Sequence, residues 1–265
     1  MATQKKNETS QLNQVAESKK DVPLKMIEES GRYRIGAPKR PDIKHDNGFL
    51  DKFATREPTL NDRAVLAKWK IMLQGAELFR NDLSDATAAY SHFLNGNGTD
   101  RTLDYERYIA NDKSGAITIK SIIADAQKHI EIIGEHREDF EVTSKPYTPG
   151  PSGGAQFPTP STENWQKAIG AHFVWVSAQI NLSLNASHQP VYSARLTFHV
   201  EDRYNFNPGQ KDIATGIPDS ENGRFEITGL GKQYTHYSKI YRTVSWAHEK
   251  ISNTTVISGS PATKK

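Results

Sequence analysis

The sequence predicts an α+β protein with a flexible N-terminal arm, a helical middle part and a small antiparallel open β-barrel or sheet with packed helices. Residues 1–57 are polar without a sustained period, residues 58–140 place apolar side chains at helical spacing, and residues 171–246 alternate between apolar and polar. Helical segments followed by a run of strands are typical of this class. We expect an arm at 1–57, a helical domain at 58–140 and a strand-rich domain at 141–265, with the helices of 88–140 packing on the strands.

The composition is that of a polar chain without thiol chemistry. The 265 residues include no Cys, and the net charge is +3. Residues 1–57 hold 12 Lys and Arg against 9 Asp and Glu, while the remainder has 22 of each sign, so the excess lies in the arm. A neutral folded part argues against nucleic-acid binding. No apolar run reaches the roughly 18 residues of a membrane span, and we expect no Sec signal because residues 1–20 lack an apolar segment.

The arm is dominated by Gly, Pro, Asn, Lys and Glu, and Ala37 to Pro41 form an extended segment bounded by proline. Such an arm can wrap the folded part without a function of its own, or it can recruit or deliver the protein. The residues favour neither.

The helical part begins at a capping signal, with Thr59 or Asn61 as the N-cap residue. A second helix is predicted from Leu83 to Leu94, and a third around 119–133. The first helix carries a predicted core stripe of Val65, Leu66, Trp69, Met72, Leu73, Ala76 and Phe79. The segment 145–162 holds five Pro and three Gly, which is typical of a loop or linker.

The strand-rich part begins with a long alternation from Val174 to Leu184. After a five-residue connection, a second alternation runs from Tyr192 to Val200, so the two strands are predicted to form a hairpin. Asp219 and Ser220 can cap a short helix, and a last strand is predicted from Ile240 to Trp246.

The second strand of the hairpin ends in a polar cluster, Glu201-Asp202-Arg203-Tyr204-Asn205-Phe206-Asn207, before Pro208-Gly209 breaks it. A carboxylate, a guanidinium, a phenol and two amides at one strand end suit a site, because the sheet fixes their geometry. An ordinary hairpin exit with solvated polar residues gives the same pattern.

Three motifs in order resemble the colicin M family. The turn from Leu94 to Arg101 (LNGNGTDR) resembles that family's Gly-Asn-Gly-x-x-Arg turn, and Asp202 to Asn207 (DRYNFN) resembles its Asp-x-Tyr-Asp-Phe-Asn segment. Leu230-Gly231, followed by Tyr234 and a final strand, resembles its next helix and closing strand. The similarity spans about residues 88–246, and each motif is weak when taken alone.

The resemblance implies an antibacterial toxin that hydrolyses the peptidoglycan precursor lipid II on the undecaprenyl side of its diphosphate. It further implies a requirement for Mg²⁺ or another divalent cation, action in the periplasm of the attacked cell, and a cognate immunity protein in the producer. The toxin would be made in the cytoplasm and released or injected. No TonB box is evident in residues 1–10, so delivery through an outer-membrane receptor and through a contractile secretion apparatus both stay open.

The resemblance carries over to particular residues with departures. Asn205 stands where the family has a second Asp, and Lys211-Asp212 stands where it has a His-Arg pair. Lys211, Arg224 and Arg101 are candidates for the missing cation, and His236 and His199 for the missing His. The expected catalytic residues are Asp202, Tyr204, Asn205, Lys211 and Arg224, the expected substrate-binding residues are Arg101, Arg203 and Asn207, and the expected metal ligands are Asp202 and Asp212.

Two other functions fit the same residues. A catalytically altered relative could use the groove to bind a glycolipid or a protein, which the missing His-Arg pair favours. A different cell-wall hydrolase, a glycosidase, would need two facing carboxylates, for which Asp202 and Glu221 are candidates.

Overall fold

A sheet of eight strands organises the part of the chain that the computed structural model describes, residues 28–135, 139–151 and 154–259. The strand order is β1-β2-β4-β5-β6-β7-β3, and β8 also pairs with β7. All pairs are antiparallel except β3 with β7, and the sheet does not close, so the predicted α+β class with an open sheet is confirmed. The strands are β1 (Glu29–Ser30), β2 (Tyr33–Ile35), β3 (Arg101–Thr102), β4 (Asp139–Ser144), β5 (Phe173–Leu184), β6 (Pro190–Tyr204), β7 (Tyr234–Ala247) and β8 (Thr255–Ser258).

Seven helices accompany the sheet within the described residues. Thr59 caps α2 in a capping box, because its hydroxyl accepts from the Asp62 amide while the Asp62 carboxylate accepts from the Thr59 amide. The helices are α1 (Phe49–Lys52), α2 (Leu60–Phe79), α3 (Ser84–Asn95), α4 (Tyr105–Asn111), α5 (Lys113–Gly134), α6 (Glu163–Ala168) and α7 (Ser220–Ile227). None of these helices combines the length and the apolarity that crossing a membrane requires.

The main core lies between α5 and one face of the β5–β6–β7 meander. The predicted hairpin is confirmed, with Val176 opposite Phe198 and twelve paired positions from Phe173 to Leu184. Even-numbered side chains of β6 face the core, as period two requires. The buried members of that face are Tyr192, Ala194, Leu196, Phe198 and Val200.

A second, smaller core surrounds the far end of β6 and β7. It joins α2, α3 and α7 through Leu73, Phe93, Leu94, Phe225 and Tyr234. The predicted core stripe of α2 is wrong at two of its positions, because Met72 is 46% exposed and Phe79 is 82% exposed.

The predicted flexible arm does not describe residues 28–57. β2 pairs with β4 in the main sheet, Tyr33 is fully buried, and the Phe49 ring packs on Gly223 of α7. The Arg40 guanidinium forms two 2.7 Å hydrogen bonds with the Glu201 carboxylate and holds this segment against the sheet. The sequence did not predict that this segment belongs to the fold. Each of its contacts uses one isolated side chain, and isolated side chains give no periodic apolar pattern. Residues 1–27 of the arm lie outside the described residues.

The predicted boundary at residue 140 does not divide the core. Ile122 and Ile130 of α5 share one cluster with Val176 of β5 and Phe198 of β6, and β3 belongs to the sheet although it lies in the predicted helical domain. The proline-rich segment 145–162 contains no helix or strand among its described residues. Its end is fixed by Asp112, whose carboxylate accepts hydrogen bonds from the amides and hydroxyls of Ser161 and Thr162.

Candidate active site

Asp202 lies at the end of β6 on the same face as the core residues that precede it. The residue is only 5% exposed, and its carboxylate accepts no hydrogen bond from any described residue. Burial raises the pKa of Asp202 well above its usual range; the charge of His45 lowers it and the charge of Asp46 raises it. A turn-capping carboxylate would accept backbone N–H groups, so a capping role does not explain this residue.

His236 faces Asp202 from the neighbouring strand. The two residues are paired in the β6–β7 register, and His236 Nδ1 lies 3.6 Å from Asp202 Oδ2. That separation exceeds a hydrogen bond, and Nδ1 is buried without a hydrogen-bond partner among the described residues. Burial, together with the positive charges of Arg101 and His92, lowers the pKa of His236 to about 3, so the ring is neutral.

Arg101 determines which nitrogen of His236 carries the proton. Its guanidinium lies 3.2 Å from His236 Nε2, and β3 pairs with β7 at this position. A guanidinium only donates, so Nε2 must accept and Nδ1 carries the hydrogen that faces Asp202. The ring therefore presents a donor to the Asp202 carboxylate.

The turn before Arg101 positions it. His92 Nε2 lies 2.8 Å from the Thr99 carbonyl, and Gly98 has a φ of +84°, which favours glycine. A Cβ on Gly96 would come within 2.4 Å of the His92 carbonyl oxygen. The Asn-Gly-Asn-Gly turn thus brings β3 beside β7.

Tyr204 lies one step beyond Asp202 on the same face. Its ring stacks on Tyr234 at 5.1 Å between centroids, and its hydroxyl has no hydrogen bond to a described residue. The Tyr234 hydroxyl, in contrast, donates to the Ala89 carbonyl at 2.8 Å. Burial, and then the negative charges of Asp202 and its neighbours, raise the pKa of Tyr204 above its usual range, so this phenol is a proton donor.

A cavity of about 420 Å³ opens over this strand end. Asp202, Tyr204 and Lys211 are among its polar lining residues, and Lys211 is exposed at the rim. The opposite wall is apolar and comes largely from α2 and α3. It includes Trp69, Met72, Leu73, Ala76, Leu83 and Ala86.

Two other predicted site residues, Asn205 and Asn207, line the cavity on a loop that hydrogen bonds hold in place. The Asn205 amide donates to the Asp46 carboxylate at 2.7 Å, and the Asn207 backbone N–H donates to Asp219. Between them, the Phe206 backbone N–H donates to Glu226, so hydrogen bonds to Glu226 of α7 and to Asp46 and Asp219 hold this loop.

The remaining predicted residues are held in other contacts or lie outside the cavity. Arg203 lines the cavity, and its guanidinium donates to Thr235 and Gln233. Neither Arg101 nor Arg224 is among the residues that line the cavity. His199 lies on the opposite face of β6, stacked on Trp175 at 3.6 Å, so it is not the missing site His.

The side chains present do not form a Mg²⁺ site built by the protein alone. No group of three or more His, Asp or Glu among the described residues is arranged to hold a metal ion. The predicted ligand Asp212 accepts from Lys167 Nζ at 2.5 Å and from Thr215, and although burial would raise its pKa, these bonds lower it overall. A cation here would need oxygens from the substrate to complete its shell.

The sequence offers His236 only as one of two candidates for the missing His, and it does not single out Lys167. His236 continues the alternation of β7, but nothing in the sequence reveals that it pairs with Asp202, because strand register is a tertiary property. Lys167 lies on the short helix α6, about 45 residues from its partner Asp212.

Comparison with known proteins gives a distant likeness. No protein-family model matches the chain, and no curated protein matches it. Among solved structures, a colicin M-like bacteriocin, PaeM from Pseudomonas aeruginosa, is similar at 15% identity with a TM-score of 0.38. The match covers 62% of this chain and 52% of that one, so the chain spans about half of that structure's length. This is a distant resemblance, and no activity follows from it.

Proposed function

We propose that this chain is an antibacterial toxin that hydrolyses lipid II at the bond between undecaprenol and the diphosphate, in the periplasm of a target cell. The sequence motifs around Arg101, Asp202 and Tyr234 support this proposal. The observation that carries it is Asp202 itself, a buried carboxylate without a hydrogen-bond partner among the described residues, beside an unpartnered imidazole nitrogen and open to a cavity.

The buried Nδ1 of His236, which has no hydrogen-bond partner among the described residues, destabilises the fold. An unpaired buried polar group costs about 1–3 kcal/mol, and a charged one costs more. A purely structural position would be filled by apolar side chains, as it is at Val200 one step earlier on the same face. Strongly perturbed acids in clefts are candidates for chemistry.

The cavity suits an amphiphilic anion. Lys211 is exposed at the rim, where it can meet a diphosphate, and Lys167 lies beside it in an ion pair with Asp212. The apolar wall formed by Trp69, Met72 and Leu73 can take the first isoprene units. A volume of 420 Å³ accommodates a headgroup fragment, while the sugar and peptide stay outside.

The chemistry follows from the protonation states. Water adds its hydroxyl to the phosphorus next to the undecaprenyl oxygen and releases its other proton to solvent, the phosphorus–oxygen bond to undecaprenol breaks, and that oxygen takes up a proton. Asp202 in its neutral form, or the Tyr204 hydroxyl, supplies that proton and regains one from solvent after the products leave. Once Asp202 has lost its proton, the Nδ1 hydrogen of His236 stabilises the carboxylate.

A divalent cation, an immunity protein and a delivery route belong to the same proposal. Mg²⁺ would neutralise the diphosphate. A producer of such a toxin needs an immunity protein on the periplasmic side, and the chain would reach its target through a receptor or an injection apparatus.

The test is mass analysis of purified lipid II incubated with the protein, with Mg²⁺ and with EDTA. Release of undecaprenol together with the diphosphoryl sugar is expected. Asp139→Asn is the matched control for Asp202→Asn, because Asp139 lies on β4 and binds Asn181 far from the cavity. Unchanged lipid II, or products that appear equally with Asp202→Asn, would refute the proposal.

A binding module is the second candidate, and one observation favours it. His236 is neutral, with its proton on Nδ1 and with Nε2 occupied by Arg101. It therefore offers no nitrogen that could accept a proton from a substrate or a water in the cavity. Lipid II that is retained but not cut would establish this alternative. A glycosidase is less well supported, because Glu221 does not line the cavity that contains Asp202. Cut glycan would establish it.

A further inference from the structure

The outer face of α2 carries an apolar stripe that no described residue covers. Leu60, Ile71 and Leu78 are 88%, 68% and 73% exposed, and Ala64 and Ala67 between them are exposed as well. These positions are spaced by three, four or seven residues, so they share one side of the helix at about 100° per residue. We define them as the outer stripe.

The outer stripe lies apart from the helix's core stripe. Leu73 is buried against the second core, and Trp69 and Ala76 line the cavity from the inner side. Met72 bridges the two faces, since it lines the cavity and is 46% exposed. The helix therefore has one apolar side that packs in the fold and a second apolar side that is exposed.

Positive charges flank the outer stripe. Arg63 and Lys70 follow one edge and Lys68 the other, and none of the three forms an ion pair with a described residue. The acidic residues of the helix are Asp62, which is buried with Arg56, and Glu77. An exposed apolar stripe bordered by Lys and Arg is typical of a helix that lies in a membrane interface.

We propose that α2 docks this protein on an anionic lipid surface through the outer stripe. Lipid takes up the apolar side chains, and Arg63, Lys68 and Lys70 meet the phosphates of the headgroups. The choice of a membrane as the partner rests on the proposed function, which needs a membrane-anchored substrate. The same helix forms the cavity wall, so docking brings the cavity within about one helix diameter, roughly 10 Å, of the headgroups.

Charge argues against two other occupants. A second copy packed stripe to stripe would bring the same cations together. Residues 1–27 hold five Lys against three Asp and Glu, a net charge of +2, so they would also meet like charge on this face.

The test is co-sedimentation of the full chain with vesicles of phosphatidylglycerol and phosphatidylethanolamine, and with vesicles of phosphatidylcholine. We expect binding to the anionic vesicles. The double variant Ile71→Glu, Leu78→Glu should weaken it by about tenfold or more, because two apolar side chains leave the lipid and two like charges approach it. The matched control is Val256→Glu, Ile257→Glu, which makes the same change at exposed apolar positions of β8.

A melting curve confirms that the α2 variant is folded. Hydrolysis of a short-chain, detergent-soluble lipid II analogue should be equal in the α2 variant and the wild type, whereas hydrolysis of lipid II in vesicles should fall. Loss of both activities, or unchanged vesicle binding by the α2 variant, would overturn the docking. A wild-type dimer that the α2 variant abolishes would identify the stripe as a contact between copies instead. Vesicle binding without any hydrolysis would refute the proposed function and leave the docking intact.

Discussion

Asp202 Oδ2 and His236 Nδ1 face each other at 3.6 Å across β6 and β7, and neither atom has a hydrogen-bond partner among the described residues. Arg101 fixes the proton of His236 on Nδ1 by occupying the other nitrogen. The pair is thus arranged to receive a negative charge on Asp202 that the resting site disfavours.

Asp202→Asn should separate function from stability. The substitution keeps the shape and removes the ionisable group, so we expect the rate of lipid II cleavage to fall about a hundredfold or more, roughly 3 kcal/mol in the transition state. Because the carboxylate caps nothing, the melting temperature should stay equal or rise. Initial rates and melting curves beside Asp139→Asn measure both. A stable Asp202→Asn protein with wild-type rates would place the active site elsewhere.

Two stacked tyrosines provide a matched comparison. Tyr204→Phe removes a hydroxyl that has no partner among the described residues, and it should lower activity while leaving stability nearly unchanged. Tyr234→Phe removes a hydrogen bond to the Ala89 carbonyl and should cost about 1 kcal/mol of unfolding free energy. Denaturant unfolding and initial rates of both variants distinguish the roles, and the reverse pattern would contradict the assignment of Tyr204.

Lys211 is the exposed predicted cation at the cavity rim, whereas Arg224 does not line the cavity. Lys211→Ala should therefore raise KM several-fold with a smaller change in kcat, because a rim charge binds the diphosphate before and during reaction. Arg224→Ala should affect KM less than Lys211→Ala. Steady-state kinetics on detergent-solubilised lipid II measure both effects. A larger rise in KM for Arg224→Ala than for Lys211→Ala would assign diphosphate binding to Arg224 instead.

His172 should make stability depend on pH. Burial lowers its pKa to about 4, although the hydrogen bond to the Gly170 carbonyl acts in the opposite direction; the other ring nitrogen lies 2.8 Å from the Tyr105 hydroxyl. The unfolded chain binds a proton near pH 6.5 and the folded one does not, so this contribution to stability is full above pH 6.5 and is lost as pH falls towards 4. The loss is about 3 kcal/mol at most.

His172→Gln keeps an acceptor and a donor without a titrating group. Chemical unfolding at pH 7 and pH 4.5 should show a smaller difference for this variant than for the wild type. An equal difference would mean that His172 is not responsible.

Phe49 tests whether residues 28–57 belong to the fold. Its ring packs on Gly223, so Phe49→Ala should cost about 3 kcal/mol of unfolding free energy. Phe53→Ala is the control, because Phe53 is 49% exposed and should cost much less. Limited proteolysis should spare residues 28–57 in the wild type and cut there in Phe49→Ala; equal cutting in both would support an independent arm.

The sequence alone determined the α+β class and the β5–β6 hairpin. The predicted end of the second strand at Glu201 is wrong, because β6 continues to Tyr204 and carries Asp202 and Tyr204 on its core face. For the class and the hairpin, period two decides which side chains are buried without any knowledge of partners. The capping box of α2 is equally local, because Thr59 and Asp62 are three residues apart.

Only the tertiary structure decided what surrounds Asp202. The register of β6 against β7 places His236 opposite it. The parallel pairing of β3 with β7 brings Arg101 to Nε2 of the His236 ring. The structure likewise decided that Met72 and Phe79 leave the core and that Tyr33 enters it. These contacts join residues about 30 to 130 positions apart, and sequence spacing carries no information about such distances.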